Sequence, residues 1–272
     1  MIGLRPLTEA EKKRPYAKYY TRPMTPPADD VYNSIVNPAE QSLALAPQSL
    51  NTLLNPGRQA LERGWCELPD GSFYVAGHVD MPGVTTDMLE WWFAWHGLDS
   101  LRYMIWDPDD HFAVHVRPDT MARRFDASLS WRERNWNTTD VVVEDVGTGV
   151  VTLEISFCSP ETAGYDMKTF KDGGFSAISA NINLLGEEKF VSFTHNARPT
   201  ATGIELRSCF WLGWIYENGS RKRVEKAAPA AEIAKLAKGL ARHCAKEYHN
   251  LAAILPSVYA ENHQIIDKPE DF

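Results

Sequence analysis

From about residue 62 onward, the alternation of apolar and polar residues divides the chain into short strands and two helical segments. Residues 64–79 predict two strands joined by a turn at Pro69-Asp70-Gly71. Further strand-like runs, each bounded by turn residues, occupy 101–106, 111–117, 140–144, 150–157, 174–182, 189–195 and 203–215. This spacing is typical of a meandering antiparallel sheet.

Two segments have the apolar periodicity of helices. The first is predicted between Thr85, a candidate N-cap, and Gly97, a candidate C-cap, and His96 lies on its apolar face. The second spans residues 229–255 and is expected to end before Pro256. A long C-terminal helix packed into a curved antiparallel sheet predicts an α+β, helix-grip architecture with an internal cavity.

The first 60 residues differ from the rest because they hold eight of the 17 prolines. So many prolines exclude long helices and central strands, although short helical pieces are expected at 39–45 and 48–54. We therefore divide the chain into an N-terminal helical arm, residues 1–60, and a helix-grip domain, residues 61–272. The arm is expected to wrap either the main body or a partner subunit.

Composition and charge exclude several classes of function. The net charge is −8, which argues against a nucleic-acid partner, because affinity for phosphate depends on clustered Lys and Arg. The sequence contains no apolar run of the ~18 residues that a membrane span needs. It also has no secretory h-region, and its four widely spaced cysteines form no CxxC, so we expect a cytoplasmic protein with reduced thiols.

The chain is rich in aromatic residues, with nine Trp, ten Tyr and eleven Phe. Most of the tryptophans cluster at 91–95, 106, 131–136 and 211–214. A Trp-rich core and a large flat cavity for an aromatic ligand explain this composition equally well.

The most informative polar pair is His243 and Glu247, four residues apart on the C-terminal helix. Both fall within the apolar stripe of Leu236, Leu240 and Leu251, so both side chains are expected to face the sheet. A buried imidazole and carboxylate need partners, and a divalent metal such as zinc is one. A simple His–Glu hydrogen bond, or a helix rotated toward solvent, remains the alternative.

Three further positions on strands are candidates. His111 and His115 share one face of their strand, so either or both can face the cavity. His195 ends an apolar run and is either a general base or a capped core residue. Glu144 is either an inward ligand or part of an exposed edge. The sequence has no HExxH, GxSxG, Walker or GxGxxG motif.

The segment WWFAWHGLDSLRYMIWDPDDH, residues 91–111, resembles the hydrolases of diacetylphloroglucinol and phloretin, as do His195 and the His243-x-x-x-Glu247 pair. The resemblance covers about residues 62–260. It implies a Bet v1-like helix-grip domain with a smaller N-terminal part that forms a homodimer. It also implies a Zn²⁺ ion in the cavity and hydrolysis of the carbon–carbon bond between an acyl group and a polyhydroxylated ring, in a small phenolic ketone.

The resemblance also implies roles for individual residues. Carried over by position, the zinc ligands are His111, Glu144, His243 and Glu247, with Glu154 or Glu161 as alternatives to Glu144. The catalytic positions that are not ligands are Tyr103, Asp119 and His195. A tyrosine that the family places near the substrate has no counterpart here, and Phe210 or Trp211 occupies that neighbourhood.

These residue types give a mechanistic hypothesis. We expect zinc to polarise the acyl carbonyl and to lower the pKa of a bound water toward ~7. His195 and Asp119 are expected to transfer the proton that the leaving ring carbon needs, while Tyr103 holds a phenolic hydroxyl or the developing oxyanion.

Other aromatic residues are expected to bind the substrate ring. Trp92 and Trp106 would stack on it, and His96 either contacts substrate or is a core histidine. A metal-free carrier of hydrophobic molecules and a metal-independent polyketide cyclase remain the rival functions, and metal content separates both from the hydrolase.

Overall fold

A curved antiparallel sheet and one long helix form most of the molecule. The computed structural model describes residues 4–225, 228–265 and 267–268, so the outermost residues of both predicted domains lie outside the described residues. Eight strands pair in the order β1-β2-β8-β7-β6-β5-β4-β3. In chain order they are β1 (Gly64–Glu67), β2 (Phe73–Pro82), β3 (His111–Val116), β4 (Thr139–Asp145), β5 (Val150–Cys158), β6 (Ser176–Leu184), β7 (Val191–Pro199) and β8 (Gly203–Leu212). A separate hairpin consists of β9 (Trp214–Glu217) and β10 (Ser220–Arg223).

The helices are short except for the last one. They are α1 (Asp29–Ile35), α2 (Thr86–His96), α3 (Ser100–Met104), α4 (Met121–Arg124), α5 (Trp131–Asn135), α6 (Pro160–Ala163), α7 (Met167–Asp172) and α8 (Ala230–Asn262). In the described part of the arm, 3₁₀ segments span Glu11–Lys13, Ala17–Tyr19, Gln41–Leu43 and Pro47–Leu54. Within the described residues, no helix combines the length and the apolar character that a membrane span requires.

The sheet wraps around α8. Near one edge of the sheet, a Cβ added to Gly77 of β2 would lie 3.3 Å from the sulfur of Cys244 on α8. At the opposite edge, the Nε2 atoms of His111 on β3 and His243 on α8 are 3.3 Å apart. Since neighbouring residues of one helix contact both ends of the strand order, the sheet must curve around it. This confirms the α+β helix-grip class.

Alternation along the strands separates two apolar cores. Phe210 of β8 faces α8 and belongs to the core between sheet and helix. Its neighbour Trp211 faces the other way and belongs to a second core with Leu53 and Tyr74. The second core lies between the outer face of the sheet and the segments that cover it.

The N-terminal arm contributes to both cores of its own chain. Tyr16, Val31 and Ile35 are buried in the core that contains α8, and Leu53 is fully buried in the second one. The indole N–H of Trp211 donates to the carbonyl of Leu45 at 2.8 Å. The arm therefore wraps the main body, and dimerisation through it stays a prediction.

Two predicted elements were wrong in type or extent. Residues 101–106 were expected to form a strand, but Ser100–Met104 is helix α3, whose N-terminus is capped by the Asp99 carboxylate on the N–H of Leu101. The C-terminal helix does not end at Pro256 but continues to Asn262. Although proline removes one backbone donor, the last two turns remain helical because Val258 is fully buried in the core.

A contact between two glycines sets how closely α8 approaches the sheet. Gly239 of α8 lies against the turn between β4 and β5, where an added Cβ would be only 2.2 Å from the carbonyl oxygen of Val146. Gly147, in that turn, has a φ of +89° and would place a Cβ 2.9 Å from the Cα of Gly239. A side chain at either position would push the helix away from β4.

We predict that Gly239→Ala destabilises the protein by about 1–3 kcal/mol, measured by urea unfolding, because the methyl group overpacks this contact. Alanine normally favours a helix over glycine by about 1 kcal/mol, so intrinsic propensity has the opposite sign. The exposed Ala253→Gly variant measures that propensity in the same helix. A Gly239→Ala protein more stable than wild type would contradict the close contact.

Candidate functional site

Four polar side chains from three elements converge inside the helix-grip core. The Nε2 atoms of His111 and His243 are 3.3 Å apart. Nε2 of His111 lies 3.8 Å from Oε2 of Glu144 and 3.6 Å from Oε2 of Glu247. Nε2 of His243 lies 3.8 Å from the same Glu247 oxygen. The structure thus brings together the four residues expected as zinc ligands, and all four are buried.

Local structure explains this convergence. His111 opens β3 and pairs directly with Glu144 of β4, so both side chains point to the inner face of the sheet. His243 and Glu247 are one turn apart on α8, as their spacing predicted. The indole N–H of Trp106 donates to the backbone carbonyl of Glu247 at 3.1 Å, which ties this turn of α8 to the segment before β3.

The ring of His111 is oriented so that its Nε2 atom can accept a hydrogen bond or bind a metal ion. Its Nδ1 lies 3.1 Å from the carbonyl oxygen of Tyr103, which only accepts, so Nδ1 carries the hydrogen. Burial, followed by the positive charge of His243, holds the pKa of His111 well below its usual range. A neutral His111 therefore presents the Nε2 lone pair to the other three groups, which is the tautomer a metal requires.

The buried charges of the four converging side chains do not balance one another. Burial, and secondarily the charge of Glu144, raises the pKa of Glu247 well above its usual range. Burial opposes the charge on His243, but the Glu247 carboxylate and a 3.5 Å contact with Asp110 outweigh it and raise the pKa of His243 to about 10. A divalent cation between these donors would neutralise the carboxylates and occupy the nitrogen lone pairs. The residues present therefore fit a metal.

Asp107 is a fifth candidate ligand that sequence reasoning missed. It is fully buried, and together with His111 and His243 it forms a group that can hold a metal ion. One carboxylate oxygen lies 3.0 Å from the ammonium of Lys246, while the other has no hydrogen-bond partner. Its short separation from His111, four residues, could have indicated a second ligand in this segment. The sequence Asp-Pro-Asp at 107–109 instead indicated only a turn.

Tyr103 braces two of the converging side chains. Its hydroxyl donates to the Glu144 carboxylate. Its ring lies parallel to that of His111, with centroids 3.9 Å apart and an interplanar angle of 2°. Burial, together with the neighbouring carboxylates, raises the pKa of Tyr103 well above its usual range, so the hydroxyl remains a donor.

His195 lies deeper in the same core, on the inner face of β7. Its Nδ1 is 2.8 Å from the hydroxyl oxygen of Ser208, and Phe193, Phe210 and Tyr248 surround its ring. Burial lowers the pKa of His195 from 6.5 to about 3, so the ring is neutral.

Tyr248 is a second residue that sequence reasoning missed. Its ring centroid is 4.8 Å from that of His195, and its hydroxyl is buried without a hydrogen-bond partner. Its spacing could have indicated that it is buried, because Tyr248 follows Cys244 by four residues and precedes Leu251 by three on the apolar face of α8.

The aromatic residues expected to bind substrate pack behind the converging ligands. The Trp106 ring lies edge-on to His111 at 5.2 Å and to Trp92 at 6.0 Å. His96 stacks between Trp92 and Tyr103, with centroid distances of 5.5 and 5.8 Å. These contacts favour a closely packed Trp-rich core over a wide, flat cavity at this point.

Two expected site residues lie elsewhere. Asp119 is 59% exposed and pairs with Arg117 at 2.7 Å in the turn after β3, so it does not meet His195. Trp211 faces the outer core, because it is displaced by one residue from the inward-facing Phe210. Neither Asp119 nor Trp211 contacts His111 or His243, so we retain neither residue in the candidate site.

Comparisons with known proteins show which family the chain belongs to. Residues 45–260 match the family model described as the DAPG hydrolase PhiG domain. The chain is 33% identical over 260 residues to phloretin hydrolase from Eubacterium ramulus, covering 93% of this chain and 92% of that one. It is 31% identical over 268 residues to 2,4-diacetylphloroglucinol hydrolase from Pseudomonas protegens, covering 93% and 86%. Among solved structures, it is similar to norcoclaurine synthase from Thalictrum flavum with a TM-score of 0.38 and 9% identity, covering 70% and 88%.

The buried state of His96 predicts a pH dependence of stability. Burial lowers its pKa from 6.5 to about 3, whereas the unfolded chain titrates near 6.5. Unfolding therefore takes up a proton below about pH 6.5, and His96 should reduce the free energy of unfolding by about 1.4 kcal/mol per pH unit between about pH 6 and 4.

Urea unfolding at several pH values tests this expectation. His96→Gln should flatten the slope relative to wild type, whereas His115→Gln, at an exposed position of β3, should leave it unchanged. An equal slope in wild type and His96→Gln would contradict a neutral buried imidazole.

Proposed function

This chain belongs to the DAPG hydrolase family, and we propose that it is a zinc-dependent hydrolase of phenolic ketones. It would cleave the carbon–carbon bond between an acyl group and a polyhydroxylated aromatic ring, releasing a carboxylic acid and the deacylated phenol. The relatives named above act on phloretin and on 2,4-diacetylphloroglucinol, which are both ketones of this class. A homodimer and a cytoplasmic location remain predictions.

The observation that carries this proposal is the convergence of His111, Glu144, His243 and Glu247 in a buried site. The Nε2 atom of His111 lies 3.3–3.8 Å from a donor atom of each of the other three. Two imidazoles and carboxylate oxygens are a donor set that suits zinc. When bound, zinc supplies a Lewis acid for the acyl carbonyl and lowers the pKa of a coordinated water. Asp107 is the alternative carboxylate, since it shares both histidines.

The reaction needs a proton acceptor and a proton donor, and His195 can serve as both. Because Ser208 occupies Nδ1, proton transfer is assigned to Nε2. Burial disfavours the imidazolium, so a proton accepted there is readily given to the ring carbon that loses its acyl group. We leave Asp119 out of this step because it is exposed and paired with Arg117.

Other side chains orient the substrate. The Tyr103 hydroxyl gives its single hydrogen to Glu144, so its oxygen would accept a hydrogen bond from a phenolic hydroxyl of the substrate beside the proposed ligands. Trp106 packs edge-on against Tyr248 and is supported by Trp92 and His96. Phe210 packs edge-on against His195, and we propose that these aromatic rings line the site of the substrate ring.

Metal content tests the proposed centre. We expect about one zinc per chain in wild type by elemental analysis, and loss of that zinc from the His243→Ala, Glu247→Ala double variant. The matched control His115→Ala changes a histidine on the same strand as His111 and should keep its zinc. A folded wild type that holds no zinc, and gains no activity when zinc is added, would refute the proposal and favour a ligand carrier.

Single substitutions test whether Glu247 or Asp107 is the carboxylate that binds the metal with His111 and His243. If Glu247 is a ligand, Glu247→Gln should lower zinc affinity by at least tenfold, measured by competition with a chelator. Asp107→Asn should change it by less than that. The reverse order would assign the metal to Asp107, His111 and His243 instead.

His195→Ala tests the proton-transfer role. We expect kcat on an acylphloroglucinol to fall by about 10²–10⁴-fold while zinc content and thermal unfolding remain close to wild type. Retained turnover in a folded, zinc-loaded variant would remove His195 from the mechanism.

A further inference from the structure

An apolar groove runs beside the candidate metal centre. It lies between the first turns of α8 and the inner face of β5, β6 and β7, and has a volume of about 460 Å³. Its walls are mainly hydrocarbon. They include Val151, Leu153, Ile182, Leu184, Phe190 and Leu236.

The described residues leave this part of the inner face incompletely covered. Farther along the same face, Ala180 of β6 and Phe193 of β7 are buried against the core. Toward the groove, Ile182, Leu184 and Phe190 are only half-buried. This apolar surface continues out of the core without side chains packed over it. Binding of an apolar ligand there is favourable, because it removes the surface from water.

The groove is continuous with the proposed site. Glu144, one of the candidate ligands, lines the groove, and so does Leu240, which lies one turn before His243 on α8. Val191 also lines it and shares the inner face of β7 with His195. A molecule with one end at the metal ligands can therefore extend its other end into the groove.

The chemistry of the walls decides which end enters. Among the described lining residues, Asn183 is the only amide, and its N–H groups already donate to Glu154 and to the Leu184 carbonyl at 2.7 and 3.0 Å. The polar side chains of Thr148, Glu188, Glu232 and Lys235 belong to exposed residues, so apart from Asn183 and Glu144 the buried part of the wall is hydrocarbon. A polyhydroxylated ring in the groove would leave hydroxyl groups without partners, which costs free energy. An acyl hydrocarbon chain needs none, while the ring oxygens meet Tyr103 and the metal ligands at the polar end.

We propose, building on the function proposed above, that this groove binds the acyl side of the substrate. It would make the protein selective for aryl ketones whose acyl group carries an extended apolar chain or a second ring. An acetyl group places a single methyl at the entrance and leaves most of the ~460 Å³ to water. Each further buried methylene should raise kcat/KM roughly fourfold, which corresponds to about 0.8 kcal/mol, until the groove is filled.

A homologous substrate series tests the selectivity. We would measure kcat/KM for acetyl-, butanoyl-, hexanoyl- and 3-phenylpropanoyl-phloroglucinol with the zinc-loaded wild type. The expected result is a rise from acetyl to hexanoyl and high activity with the arylpropanoyl ketone. Hydrolysis of the acetyl compound without any rise along the series would overturn the groove assignment and leave the proposed function standing.

Variants on the two walls of the groove test whether the selectivity for long acyl chains arises there. Leu184→Trp on the sheet and Ile233→Trp on α8 should each lower kcat/KM for the hexanoyl substrate at least tenfold more than for the acetyl one. Leu185→Trp is the matched control, because Leu185 is 55% exposed and does not line the groove. Equal losses for both substrates in both groove variants would overturn the assignment.

Binding separates the failure of this inference from the failure of the proposed function. If wild type hydrolyses none of the four ketones, the proposed function fails, and calorimetry then measures their intact binding. Affinity that rises with acyl length and falls in Leu184→Trp would still support the groove. Affinity independent of acyl length would overturn it.

Discussion

The structure depends on holding one imidazole and two carboxylates within 4 Å of the Nε2 atom of His111 in an apolar interior. Taking one unpaired charge out of water costs several kcal/mol, so a cluster of four such groups survives only when each is oriented and partnered. The direct pairing of His111 with Glu144 fixes two of them on the sheet. One helical turn fixes His243 and Glu247 on α8, and a bound cation would balance the four together.

This requirement explains features that lie away from the cluster. α8 must approach β3 and β4 closely, and the glycine pair Gly147 and Gly239 allows the backbones to meet without side chains between them. The sheet must curve so that both of its ends reach one helix, and the arm and α2 fill the remaining volume with aromatic residues such as Tyr16 and Trp95. The tryptophan-rich composition therefore serves packing around a buried polar centre first.

Much of the fold and part of the site followed from the sequence, and the failures have physical reasons. Helical periodicity correctly placed His243 and Glu247 on the buried face, whereas the partnership of α8 with His111 came from family resemblance, since no spacing rule joins residues 132 positions apart. Trp211 was misplaced because a shift of one residue reverses the face of a strand. Pro256 did not end α8, because tertiary burial of Val258 outweighed the local effect of proline.

The arrangement also places two different environments side by side. Tyr103 and the proposed ligands supply hydrogen-bonding groups at one end, whereas Ile182, Leu184 and Phe190 offer hydrocarbon at the other. His195 is neutral because its surroundings are aromatic, and that neutrality suits it to move a proton to carbon without keeping the charge. The burial that makes the four polar side chains costly to assemble is thus the same burial that keeps His195 neutral, so one packed core has both effects.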